Sequence, residues 1–272
     1  MTKHGFAPSR KISLLCGLLL FLDAPRVLKG QPPPDAVAAF DSYSKAVERR
    51  IEQQHQSASA FLAPADIAWE RLRKGELSFE QLAPSSTANL PEALLHHWRG
   101  TAFAPGATAS DFEGLMRNFS SYPQHFSPEV LQARVVREDG NRMQAWMRVR
   151  QKHVITVVMD TSYDVTFGQL DVKHGYSISR STRIDEIDSV ETKYERVLSP
   201  TEEHGFLWRL NTYWSYEERD GGLYLQIEAL SLTRSIPKGL GWMIGPYVES
   251  IPRESLEFTL RSACNAVQKQ PR

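Results

Sequence analysis

Between Val130 and Arg234 the chain reads as strand after strand, separated by turns that few residues can make. Val130–Glu138 ends at Asp139-Gly140, and Phe206–Glu218 ends at Asp220-Gly221-Gly222 before Leu223–Arg234. Such pairs tolerate the positive φ of tight hairpin turns, so they predict antiparallel neighbours. Met143–Met159 alternates, with Met143, Ala145, Met147, Val149, Ile155, Val157 and Met159 on one side. Arg142, Arg148, Arg150 and Lys152 fall on the other side. Tyr163, Val165 and Phe167 continue the pattern; Lys173-His174-Gly175 is a turn, and Tyr176, Ile178, Thr182 and Ile184 alternate again. Phe206, Trp208, Leu210, Trp214 and Tyr216 share one side of the next strand.

Helices flank this meander. Leu94–Ala104 suits a strand closed by Pro105-Gly106. Thr108 or Ser110 then opens a helix whose Phe112, Leu115, Met116 and Phe119 share one face. It breaks at Tyr122-Pro123. At the other end, Gly239–Ile251 is helical, and Pro252 suits the first turn of the stretch that follows. Leu256, Leu260, Ala263 and Val267 then form one stripe. Burying each large apolar side chain is worth ~1.5–3 kcal/mol, so this helix must dock. A sheet with one apolar face needs a cover, and the last helix is the candidate. The order predicts an α+β architecture, a curved antiparallel sheet of about seven strands around a long C-terminal helix. An apolar cavity is expected between them.

Upstream, residues 35–62 read as a helix outside that domain, capped by Asp35, with Phe40, Tyr43, Val47 and Ile51 at helical spacing. A lone helix is marginal, so it packs on the body or on a partner. Glu76–Leu82 is a short strand, and Pro84–Pro91 is a loop by composition. Arg10-Lys11 followed by the apolar Ile12–Leu22 fits a secretory signal, whose apolar part runs ~7–15 residues. No A-x-A precedes Pro25 or Gln31, so a retained anchor and membrane association through the N-terminus stay open. The expected division is residues 1–30 as signal or anchor, 31–90 as helical extension and linker, and 91–270 as the main domain. Export to the periplasm, envelope or exterior is expected.

Charge narrows the function. The net charge is zero, but residues 1–30 hold Lys3, Arg10, Lys11, Arg26 and Lys29 against Asp23 alone. The remainder carries 27 basic and 31 acidic residues, which lacks the field of a phosphate-backbone binder, so no nucleic-acid partner is expected. Outside the signal only Cys264 remains, and it reads as packing rather than as a nucleophile.

Motifs for chemistry are absent. Gly239-x-Gly241-x-x-x-Gly245 is one residue too long for a dinucleotide fingerprint, and too little chain follows it. Adjacent His96 and His97 on a strand point to opposite faces. There is no HExxH, CxxC or GxSxG. Asp185, Glu186, Asp188 and Glu191 read as a solvated turn. No cofactor or metal is expected.

Several stretches together carry a resemblance: Trp98–Gly106 with the helix after it, Trp208–Trp214, Glu217–Glu228, Leu230–Pro237, Gly239–Pro246 and Ser250–Ser255. Over about residues 90–270 the chain resembles the START-like, or SRPBCC, superfamily of lipid-transfer domains, polyketide cyclases and birch-pollen-type allergens. The resemblance implies a helix-grip fold with a central ligand cavity. It implies no reaction, because such folds host both binders and enzymes.

Strand phase nominates Met147, His153, Tyr163, Arg180, Trp208 and Trp214 as cavity-wall residues. An inward Arg180 needs an anion, either the head of an amphiphilic ligand or a protein carboxylate. The leading expectation is non-catalytic binding or carriage of a lipid or other apolar or amphiphilic small molecule. The alternatives are a cyclase or aromatase using His153 or Tyr163 near Arg180, and an envelope module in which the 35–62 helix docks a partner.

Overall fold

The computed structural model describes residues 30–64, 68–82, 90, 92–152, 156–235 and 241–268, with side chains undescribed over 241–249. The signal-like segment, His153 and the glycine at 239 lie outside the described residues.

The elements are α1 (Pro34–Gln54), α2 (Trp69–Arg73), β1 (Ser78–Gln81), β2 (Ala93–Pro105), α3 (Ala109–Arg117), α4 (Tyr122–His125), β3 (Val130–Asp139), β4 (Arg142–Lys152), β5 (Thr156–Asp171), β6 (His174–Asp188), β7 (Arg196–Val197), β8 (Arg209–Arg219), β9 (Gly222–Arg234) and α5 (Gly241–Gln268). The strands form one sheet in the order β1-β2-β9-β8-β6-β5-β4-β3, with β7 on β6. Every pairing is antiparallel. Seven strands are long, as expected, and β1 and β7 are short additions. The sheet is open, with β1 and β3 at its ends. Register shifts along β3/β4 and β5/β6 insert unpaired residues, which increase local twist and bend.

The alternating Met143–Met159 run is two strands. Arg142–Lys152 pairs with β5 from Lys152 opposite Thr156. Odd-numbered residues are apolar in both strands, so alternation alone joins them.

The concave face carries α3, α4 and α5. Thr108, not Ser110, caps α3: its side chain accepts from the Asp111 N–H while the Asp111 carboxylate accepts from the Thr108 N–H at 2.9 Å. α5 is one continuous helix through Pro252 rather than two segments. Its stripe of Leu256, Leu260, Ala263 and Val267 is buried as expected. The helix approaches β2 closely at Gly100, where a Cβ would lie 3.3 Å from the Leu256 and Leu260 methyls.

The outer face is covered by α1. It begins with Pro34 in its first turn, where a missing N–H costs no helix bond, and Asp35 follows inside the helix rather than capping it. Phe40, Val47 and Ile51 pack on Leu95, Tyr213, Leu230 and Leu232. The helix thus stands outside the sheet-and-α5 core while packing on the body.

A buried charge cluster adds to this docking. Glu228 on β9 is 3% exposed. It accepts from Arg50 of α1, from Arg99 Nε at 3.0 Å and from His97 Nε2 at 2.9 Å. The Tyr43 hydroxyl donates to the other nitrogen of His97 at 3.1 Å. Burial pushes the Glu228 carboxyl up, but the bonds from His97 and Arg50 and the charges of Arg99 and Arg50 bring it down to about 2.

Candidate functional site

The concave side of β4 and β5 borders a half-open cavity of about 180 Å³. Alternation along the strands presents Met147 and Val149 from β4 and Met159, Thr161 and Tyr163 from β5. β6 and β8 contribute Ser179, Leu210 and Thr212, and α5 contributes Ser255, Phe258 and Thr259. Met116 of α3, Phe119, Tyr122 of α4 and Phe126 complete the apolar wall. Met116, Phe119, Phe126, Met159 and Tyr163 are buried, whereas Glu129, Arg150 and Gln151 at the hairpin end are half-buried. The space therefore has an apolar inner end and a polar outer end.

Polar groups are sparse and unusually placed. Burial pushes the Tyr163 phenol up to about 12, against a downward pull from Thr161. Burial raises Tyr122 as well, and its hydroxyl points to the Met116 carbonyl at 3.4 Å. Glu129 is the acid of this wall: burial alone lifts its carboxyl to about 7. Its backbone carbonyl accepts from Arg150 N–H at 2.7 Å, which fixes the residue at the mouth. The Arg150 guanidinium turns instead to Glu191 at 3.2 Å. The Ser255 Oγ is buried and has no hydrogen-bond partner among the described residues.

Of the nominated residues, Met147 and Tyr163 line this cavity together. Trp214 faces the same concave core, 6% exposed, with its ring edge-on to Phe112 at 5.0 Å, but packs beside the cavity lining. Trp208 does not join them. It precedes β8, where strict alternation does not hold. It packs with the α1 cluster, and its indole donates to the Gly30 carbonyl at 2.6 Å. Arg180 shares a side with Tyr176 and Ile178 as the phase predicts, but that side is the outer one. There its Nε donates to Glu48 of α1 at 2.7 Å, so the carboxylate it requires comes from the protein. It also borders an open groove of about 460 Å³ lined by Arg137, Asp139, Arg142 and Asp164, whose charged walls suit no apolar ligand. A constellation of Tyr163 with Arg180 is therefore not assembled, since the sheet separates them.

His96 and His97 do point apart: His97 joins the Glu228 cluster and His96 lies within 3.4 Å of the Thr233 hydroxyl. Among the described residues no group of three His, Cys, Asp or Glu side chains is placed to hold a metal. Glu186 departs from the expected solvated turn. It lies on β6, is 4% exposed, and accepts from the backbone N–H groups of His204, Gly205 and Phe206. Cys264 packs in the concave core, and burial pushes its thiol up to about 12, which leaves little thiolate.

Glu129 and Ser255 were not visible as site residues. Glu129 precedes the strand run and Ser255 opens an apolar helical stripe, and neither position follows an alternation rule.

No family model matches the chain, and no curated protein matches it. Among solved structures, human STARD10 is 10% identical, covering 89% of this chain and 82% of its own, with a TM-score of 0.48. A STAR-related lipid transfer protein fragment from Xanthomonas axonopodis is 13% identical, covering 70% and 99%, at 0.44. The Zhui aromatase/cyclase from Streptomyces sp. R1128 is 12% identical, covering 64% and 92%, at 0.40. An open, curved antiparallel sheet holding its C-terminal helix is the helix-grip arrangement that the sequence predicts.

Proposed function

We propose that the protein binds a small apolar or amphiphilic molecule between the sheet and α5 without transforming it. The observation that carries this is the cavity of about 180 Å³, walled by aromatic and aliphatic side chains with few polar groups. Binding sites for drug-sized ligands span ~300–1,000 Å³. The space therefore suits a single short chain or a compact ring compound, with its polar end toward Glu129. The basic and apolar start of the sequence is proposed to direct export, so that the ligand is met outside the cytoplasm.

Native mass spectrometry of the gently purified full chain tests the binding. A small-molecule adduct, or uptake of octanol, is expected for the unaltered protein. Ser179→Phe places a ring in the cavity and is expected to abolish both. A protein that shows neither adduct nor uptake overturns the reading.

A further inference from the structure

Two residues lining the cavity carry polar groups that find no side-chain partner among the described residues. One is the Glu129 carboxyl, which burial perturbs and to which no described residue gives a compensating bond or ion pair. The other is the Ser255 Oγ, buried and unpartnered on α5. They come from different parts of the fold and line the same space. The neighbouring charged and titratable side chains in that wall are otherwise engaged. Arg150 on β4 pairs with Glu191, Tyr122 on α4 points to the Met116 carbonyl, and Tyr163 on β5 interacts with Thr161. A half-buried carboxylate with no countercharge is costly, and a bound cation offsets that cost by charge pairing and hydrogen bonding.

We propose that the ligand is an apolar amine, its ammonium group held by Glu129 at the outer end of the cavity, with Ser255 as a second polar contact. This rests on the binding role proposed above and specifies the ligand's head. An anionic head meets a charge of its own sign at Glu129. A neutral hydroxyl gains a hydrogen bond but no charge pairing. The apolar inner end, with Phe119, Phe126, Met147 and Met159, takes the apolar body.

The test is calorimetric binding of octylamine, octanol and octanoate to the full chain. At about pH 8 the amine is protonated and most Glu129 is ionised. Hydrogen bonds to charged groups contribute ~1.5–3 kcal/mol, so octylamine should bind at least about tenfold more tightly than octanol. Octanoate should bind most weakly. Glu129→Gln should bring octylamine to within about twofold of octanol. Arg150→Gln should preserve the order of the three. Octanoate matching octylamine, or an amine preference that survives in Glu129→Gln, overturns the proposal while leaving the cavity's binding role in place. Failure of all three probes to bind removes both.

Discussion

Glu129 makes a pH-dependent statement about stability. Its carboxyl titrates near 7 in the fold because of burial, against ~4.3 when unfolded. The folded state therefore holds this proton more tightly. Stability is unaffected by the group below about pH 4 and declines as pH rises toward its folded value of about 7. Glu129→Gln should raise the urea midpoint at about pH 8 and leave it nearly unchanged at about pH 4. Equal effects at both pH values would contradict the burial that the cavity requires. Glu228 has the opposite sign. Its carboxyl is held down to about 2, so its contribution is present above the unfolded value and is lost as pH falls through about 2. Glu228→Leu leaves Arg50 and Arg99 without their shared carboxylate and should cost about 3–5 kcal/mol by equilibrium denaturation. At this scale the sequence was only partly legible. Tyr163 and Met147 were found because they sit within regular strands. Trp208 and Glu129 sit just outside them, where side-chain direction follows the loop rather than the pleat. Arg180 was grouped correctly with Tyr176 and Ile178 but expected on the cavity side, because the sequence does not say which side of a two-faced sheet the last helix will cover.

The elements that matter most are the two layers on either face of the sheet. Their existence was readable because apolar spacing of 3.6 persists across Phe40–Ile51 and Leu256–Val267. The break between β4 and β5 was not, because the stretch between them lacks the Asn, Asp and Gly that mark the other hairpins. α5 depends on close approach to β2. Gly100→Ala puts a Cβ 3.2 Å from the Phe79 ring and 3.3 Å from two leucine methyls. Thermal or urea unfolding should show a loss of about 1–3 kcal/mol from overpacking. Phe40 of α1 is 2% exposed, and Phe40→Ala should cost about 3–5 kcal/mol. A loss below 1 kcal/mol by the usual measure of such truncations, about what a surface site gives, would mean that α1 is not docked in solution.

On the scale of the whole molecule the protein is three layers: α1, the sheet, and the group of α3, α4 and α5. The sheet is the shared wall, so its central strands are buried on both sides, as Leu223–Leu232 shows. Removing residues 31–90 should expose Leu95, Tyr213, Leu230 and Leu232 and send the remaining chain into the insoluble fraction, read as soluble yield against the full chain. Among the described residues no helix is long and apolar enough to cross a membrane. The carboxylate of Glu228 has a consequence for how this assembly comes apart. Its countercharges arrive from two places, Arg50 on the first helix and Arg99 on the neighbouring strand. Peeling the helix away removes Arg50 and leaves the carboxylate to Arg99 and His97 of the neighbouring strand alone. The helix should therefore not fray ahead of the rest. In native-state hydrogen exchange, amides of its Val47–Ile51 turn should open with the same free energy as those of β9, as one cooperative unit.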